Sequence, residues 1–228
     1  RSGMAITFLN STARIITAAA STWSMQYHSS RQGGAAYMLG VGPASSGVTV
    51  STAGDNLGNQ FTLAIRRPTP KPAASAELWY LTNLSSASTR VHVGLSGTSS
   101  GGLAVGQFAG VSTANALLAT ASSAITANST SHSAAQITSS GTAISFARVT
   151  ASTIGTITVL GAMTPWVTTT ALLRTHGQYI INTAGSTVTG SWTTSSNCQH
   201  AEVLAVFSDT VLVGAGGGPT SLTLLGVQ

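Results

Sequence analysis

Charge is what this chain has least of. Lys and Arg number nine and Asp and Glu four among 228 residues, 6% of the whole, against about a quarter in an ordinary soluble domain. Disordered chains pair high charge with low hydrophobicity. Here the apolar fraction is 43%, so the deficit argues for a folded chain. The four acids are Asp55, Glu77, Glu202 and Asp209. Glycoside hydrolysis would need two of them facing one another across a cleft. Asp55 and Glu77 border the same hairpin, but each stands at a turn or strand start, so they do not read as a catalytic pair.

Cysteine is nearly absent too. The single Cys198 excludes an internal disulfide framework. No run reaches the ~18 apolar residues of a membrane span. Helix signals are missing: 113–129 is Ala-rich, but it has no charged i,i+4 pairs, and its Ser and Thr compete for backbone hydrogen bonds. The net charge of +5 and pI near 10.2 reflect scarce acids rather than a basic stripe. No stretch carries more than three basic residues close together, which excludes a nucleic-acid surface.

Catalytic motifs are equally lacking. There is no phosphate loop, no dinucleotide fingerprint and no G-x-S-x-G before a helix. The histidines His28, His92, His132, His176 and His200 are scattered without metal-ligand spacing. Cys198 and His200, two apart, share a strand face, but two ligands alone make a poor zinc site, and the pair reads as structural. The expectation is therefore no catalytic residue, no metal and no cofactor.

What is present is Ser, Thr, Gly, Ala and Val, arranged as short alternating runs closed by Gly, Asn or Ser. Such runs at 5–10, 13–19, 22–28, 35–42, 48–53, 60–67, 76–84, 89–97 and 103–111 predict strands, as do 143–150, 156–162, 176–184, 187–194 and 202–209. Many short strands without intervening helices predict an all-β fold, an antiparallel β-sandwich of jelly-roll type. Residues 1–209 read as one domain, in which 112–142 is a long Ser/Thr/Ala-rich surface excursion or a pair of weak edge strands. Residues 210–228 form an arm, whose TSLTLLGV, with Leu222, Leu224 and Leu225, predicts an extension strand in its own sheet or a neighbour's. Met4 reads as a native start behind a three-residue remnant, with cleavage of a precursor as the alternative.

The densest charge lies in 55–84. DNLGNQ reads as a turn, with Asn and Gly supplying positive φ. The three prolines of RRPTPKPAAS (66–75) bar a central strand, which places Arg66, Arg67 and Lys71 at a solvated loop tip, the charge marking exposed strand ends. Trp166, in a loop after Pro165, and Trp192, in hydroxyl-rich GSWTTSS, are candidate sugar-stacking platforms, whereas Trp79 reads as core.

Several residues here occur as a set elsewhere. Asp55, Gly58, Asn59, Phe61 and Leu63 form D-x-x-G-N-x-aromatic-x-L, and Trp79, Tyr80 and Asn83 form W-Y-x-x-N. Val91 and Val93 follow, then QFAGV at 107–111. The chain thereby resembles a β-sandwich domain recurrent in phage virion proteins (head decorations, tail and fibre proteins) and in secreted bacterial proteins, over 35–111 and 155–209. The N-terminal strands and final arm depart from it, and Gln107 stands where such domains more often carry an acid. The resemblance implies a sandwich without a catalytic consensus. The expected function is a non-enzymatic structural protein of a virion or similar extracellular assembly, partnered by itself or other assembly proteins. The alternatives are a carbohydrate-binding module, which would take a glycan, and a cell-surface filament subunit.

Overall fold

The computed structural model of the chain describes residues 6–27, 33–68, 75–133, 137–138, 141–150, 156–169, 175–181 and 187–209. Among the described residues fourteen strands occur in this order: β1 (Thr7–Gln26), β2 (Ala36–Pro43), β3 (Val50–Asp55), β4 (Thr62–Pro68), β5 (Ser75–Leu81), β6 (Arg90–Ala109), β7 (Leu117–Ser133), β8 (Ile137–Thr138), β9 (Thr142–Thr150), β10 (Ile157–Leu160), β11 (Thr164–Thr168), β12 (Thr175–Ile180), β13 (Thr187–Val188) and β14 (Ser191–Phe207). No helix occurs among the described residues. Two antiparallel six-stranded sheets pack against each other as a β-sandwich, the fold class the alternation predicted. The strand expected in the C-terminal arm lies outside the described residues, as do Lys71, Leu222, Leu224 and Leu225.

The two sheets repeat one plan. The first runs β1-β6-β2-β5-β4 with β3 also on β6; the second runs β10-β14-β9-β12-β11 with β7 also on β14. Substituting β7, β9, β10, β11, β12 and β14 for β1 to β6 in turn reproduces every pairing. Register agrees residue by residue: Met38↔Tyr80 answers to Ile144↔Tyr179, Ala36↔Phe108 to Thr142↔Phe207, and Trp23↔Val93 to His132↔Trp192.

Even the irregularities recur. The shift between Leu63 and Ile65 in β4 matches that between Pro165 and Val167 in β11. The breaks in β1 opposite Ser99 match those in β7 opposite Cys198. Across that break, Arg14 Nη1 donates to the Ser24 carbonyl (2.6 Å), and at the equivalent place Ser123 Oγ donates to the Ser133 carbonyl (2.5 Å). Only β3 carries a shift that β10 lacks.

Bulges bend strands, and these bends let each sheet enclose a core of its own. Beyond the break in the first repeat, Trp23, Met25, Val91 and Val93, with Val50 and Ala53 of β3, pack with Leu39, Val41, Leu103 and Val105 from before it. Ala143, Leu204 and Val206, and beside them Ala147, Val149 and Trp192, fill the second repeat. Alternate residues face the other way. Met38, Leu78, Ala104 and Phe108 meet Ile144, Phe146, Trp166, Val203 and Phe207 in the core between the repeats.

Three local expectations change. The separate runs at 5–10, 13–19 and 22–28 merge into β1, because bulges interrupt its pattern without ending its pairing. Arg66 and Arg67 lie in β4 rather than at a loop tip; β4 is an edge strand, where Pro68 is tolerated at the end. Residues 117–133 form one long edge strand on β14.

Candidate functional site

Equivalent positions make each repeat a control for the other. In the first repeat the interior positions Leu39, Trp79, Leu103 and Val93 are apolar and buried. The second repeat places Ser145, Gln178, Glu202 and Trp192 there, all fully buried. His132 stands at the place of Trp23, His200 at that of Gly101, and Cys198 at that of Ser99. The repeats thus share one backbone plan, with a hydrocarbon interior at these positions in the first and a more polar one in the second. Burying polar groups costs stability unless each finds a partner, which makes this interior the candidate functional site.

Most partners are found inside, though both amide atoms of Gln178 and His176 Nε2 have none. Glu202 accepts from Ser145 Oγ (2.5 Å) and Trp192 Nε1 (3.0 Å). His132 and His200 meet Nδ1 to Nδ1 at 2.8 Å. His132 Nε2 lies 3.1 Å from Thr194 Oγ1 and 3.3 Å from Cys198 Sγ. Thr194 Oγ1 donates to the Ser196 carbonyl (2.8 Å), so it accepts from His132 Nε2–H. His132 Nδ1 then accepts from His200 Nδ1–H, which leaves the bare His200 Nε2 3.9 Å from Glu202 Oε2. Trp192 sits among three imidazoles, its ring centroid 4.1 Å from that of His132, 5.2 Å from His200 and 5.6 Å from His176.

Electrostatics follows from burial. Desolvation lowers His132 and His176 to about 4. It lowers His200 to about 3, with the neighbouring His132 adding to the effect. Desolvation raises Glu202 to about 7 against the opposing hydrogen bonds from Ser145 and Trp192. The network is therefore neutral or nearly so at pH 7. A thiol beside an imidazole is the pairing that generates a thiolate nucleophile. Here desolvation lowers His132 to about 4 and Cys198 is buried. Among the described residues no three His, Cys, Asp or Glu are placed to hold a metal ion.

The first repeat keeps one buried ionic cluster. Glu77 accepts from Val50 N (2.9 Å), Trp79 Nε1 (3.0 Å) and Arg66 Nη2 (3.0 Å). Its equivalent in the second repeat is His176, hydrogen-bonded to Thr168 Oγ1 at 3.1 Å, where Thr168 takes the place of Arg66. Asp55 is buried as well, its carboxylate accepting from Leu57 N and Asn59 N (2.9 Å each) and Asn59 Nδ2 (3.0 Å).

Several expected site residues change character accordingly. Asp55 and Glu77 do not mark exposed strand ends; they are interior because backbone and indole N–H groups satisfy them. Only Gly58 supplies positive φ (88°) in the 55–60 turn. Trp192 and Trp166 are 0% and 3% exposed, so neither is a sugar platform. The hydroxyls around Trp192 are matched by an interior polar network. Trp166 lies in β11, not in a loop, and donates Nε1–H to the Ser145 carbonyl (3.0 Å). Arg66 is 30% exposed in its side chain and ion-paired, while Arg67 is exposed. His132, Glu202, Ser145 and Thr194 were not singled out by sequence as a site.

Cavities among the described residues include two beside these interiors. One, of about 240 Å³, lies along the bend of β1 between Arg14, Ile16, Ala20 and Trp23. The other, of about 250 Å³, lies among Met163, Ile180, Thr187 and Val188. No described helix is long and apolar enough to cross a membrane. Compared with family models, with curated proteins and with solved structures, the chain matches none.

Proposed function

We propose that the protein is a non-enzymatic structural subunit of a virion or comparable extracellular assembly, such as a capsid decoration or a tail or fibre component. It packs against copies of itself or neighbouring assembly proteins. The observation that carries this reading is where the acids lie. Asp55, Glu77 and Glu202 are buried and Asp209 is half-buried. The described exterior is thus mostly Ser, Thr, Ala and Gly, with scattered arginines such as Arg14, Arg67 and Arg90. A neighbour can cover such a surface with few ions to desolvate.

The edges support the same reading. β1 runs 20 residues with one charge, Arg14, and β7 runs 17 with none and no proline in either. Among the described residues each pairs by backbone on one side only. Monomeric proteins commonly blunt such edges with Lys, Pro, short length or bulges; these edges carry bulges but none of the other three, and the stretches between the bulges suit strand addition. Enclosure of the titratable cluster supports a role without catalysis.

The test adds charge at two exposed edge positions, Thr17→Lys in β1 and Thr120→Lys in β7, and follows sedimentation at micromolar concentration. Loss of the higher-mass species, with an unchanged far-UV spectrum, is the expected result. Association that ignores both substitutions would remove the edges from the account.

A further inference from the structure

A second property comes from the interior and is independent of the assembly reading. We propose that the second repeat is an acid-triggered element: proton uptake by His132, His176 and His200 around Trp192 opens its inner layer, while the first repeat stays closed. The two repeats share strand order and register, so they differ in what fills them rather than in how they are built. The positions matching the three histidines are Trp23, Gly101 and Glu77, none of which is an imidazole.

Among the described residues the three rings have no carboxylate partner that could hold them charged, apart from Glu202. On β7 the facing groups are His132 and Ser123; on β14 they are Cys198, His200, Glu202 and Thr194; on β12, His176 and Gln178. β10 presents Ile157 and Val159, without charge. Arg148 of β9 lies on the opposite face, against Gly42. A second imidazolium in the 2.8 Å His132–His200 contact would bring two N–H groups together and lose the hydrogen bond. Acid therefore turns a nearly neutral interior, in which the Gln178 amide and His176 Nε2 already lack partners, into one of buried like charges around one indole.

The direction is set by linkage. Each histidine is neutral when closed and charged when open, which favours opening by about tenfold per pH unit below its ordinary value near 6.5. Glu202 opposes them, holding a proton when closed that it releases when open, until about pH 4.5. Three against one leaves a net increase in opening of about a hundredfold per pH unit between about pH 6 and 5.

Cys198, the only thiol and 1% exposed, lies inside this layer and reports its opening. The experiment measures modification of the full chain by 4,4′-dithiodipyridine between pH 7 and 5, normalised at each pH to free glutathione. Amide exchange in β3 and β6 is followed alongside. The expected result is protection at pH 7, a normalised rate rising about a hundredfold per unit below pH 6, and unchanged protection factors, corrected for the intrinsic pH dependence of amide exchange, in β3 and β6. His176→Gln should reduce the slope to about tenfold per unit, and Glu202→Gln should steepen it to several hundredfold. A flat rate in the unsubstituted chain would overturn the proposal, as would β3 and β6 opening in step with Cys198. The unsubstituted slope decides the matter even where a variant does not fold.

Discussion

Gly40 and Phe146 hold the same place in the two repeats and meet each other between them. A Cβ on Gly40 would lie 2.2 Å from the Phe146 ring, and Gly42 stands likewise against the side chain of its own equivalent, Arg148. The interface thus relates the repeats as an approximate twofold would, with glycine on one side and a large side chain on the other. Two copies of the second repeat's face would set phenylalanine on phenylalanine and arginine on arginine. Two copies of the first would leave voids. The pairing of unlike repeats is specified by this exchange of volume.

Gly40→Ala should therefore destabilise the fold by about 1–3 kcal/mol, the usual cost of overpacking. Urea unfolding gives the number. Adding Phe146→Leu, which withdraws the ring, should make the alanine less costly than it is alone, so the two changes are non-additive.

Glu77→Ala strips the partner from Val50 N–H, Trp79 Nε1–H and Arg66 together. Orphaned buried donors should lower stability by about 3 kcal/mol. Arg66→Met should cost only about 1 kcal/mol, since that side chain is part exposed. The urea midpoints of the two variants, compared with the unsubstituted chain, test the order.

Asp55→Ala removes the acceptor that closes the turn at 55–59. A loss of about 1–2 kcal/mol is expected. Gly58→Ala, at a φ of 88°, should cost about 1 kcal/mol through backbone strain alone. Thermal melts of both variants check this, and neither should alter Cys198 protection at pH 7.

Overall stability should fall on acidification. His132, His176 and His200 have lowered folded values, so their contribution is present above about pH 6.5 and declines as pH falls towards 4. Glu202 is raised to about 7, so its contribution is complete below about 4.5 and is lost as pH rises through 7. The histidines outnumber it, and the net loss from pH 7 to 5 should be about 3 kcal/mol. Urea midpoints at the two pH values measure it.

The strands were legible in the sequence because alternation survives wherever one face is buried. What one chain read alone does not display is the duplication. Tyr80 and Tyr179 match, as do Phe108 and Phe207, yet at 39 and 145, 103 and 202, and 79 and 178 the equivalent residues have opposite polarity. Strand geometry requires a side chain that fits the interior and a partner for each polar atom; it does not require the same residue. Trp192 differs from its expectation for the same reason: hydroxyl-rich neighbours suggest solvent, but Thr194 pairs with His132 and the Trp192 indole with Glu202, all inside. β11 escaped notice because Pro165 argues against a strand, whereas an edge position with a bulge accepts it.

The measurement that bears most directly on the proposed function is the mass of the unmodified chain in solution, by light scattering across micromolar concentrations at pH 7. An assembly subunit should give species at multiples of 22.8 kDa that grow with concentration. A constant 22.8 kDa at every concentration would contradict self-assembly through its own edges and faces.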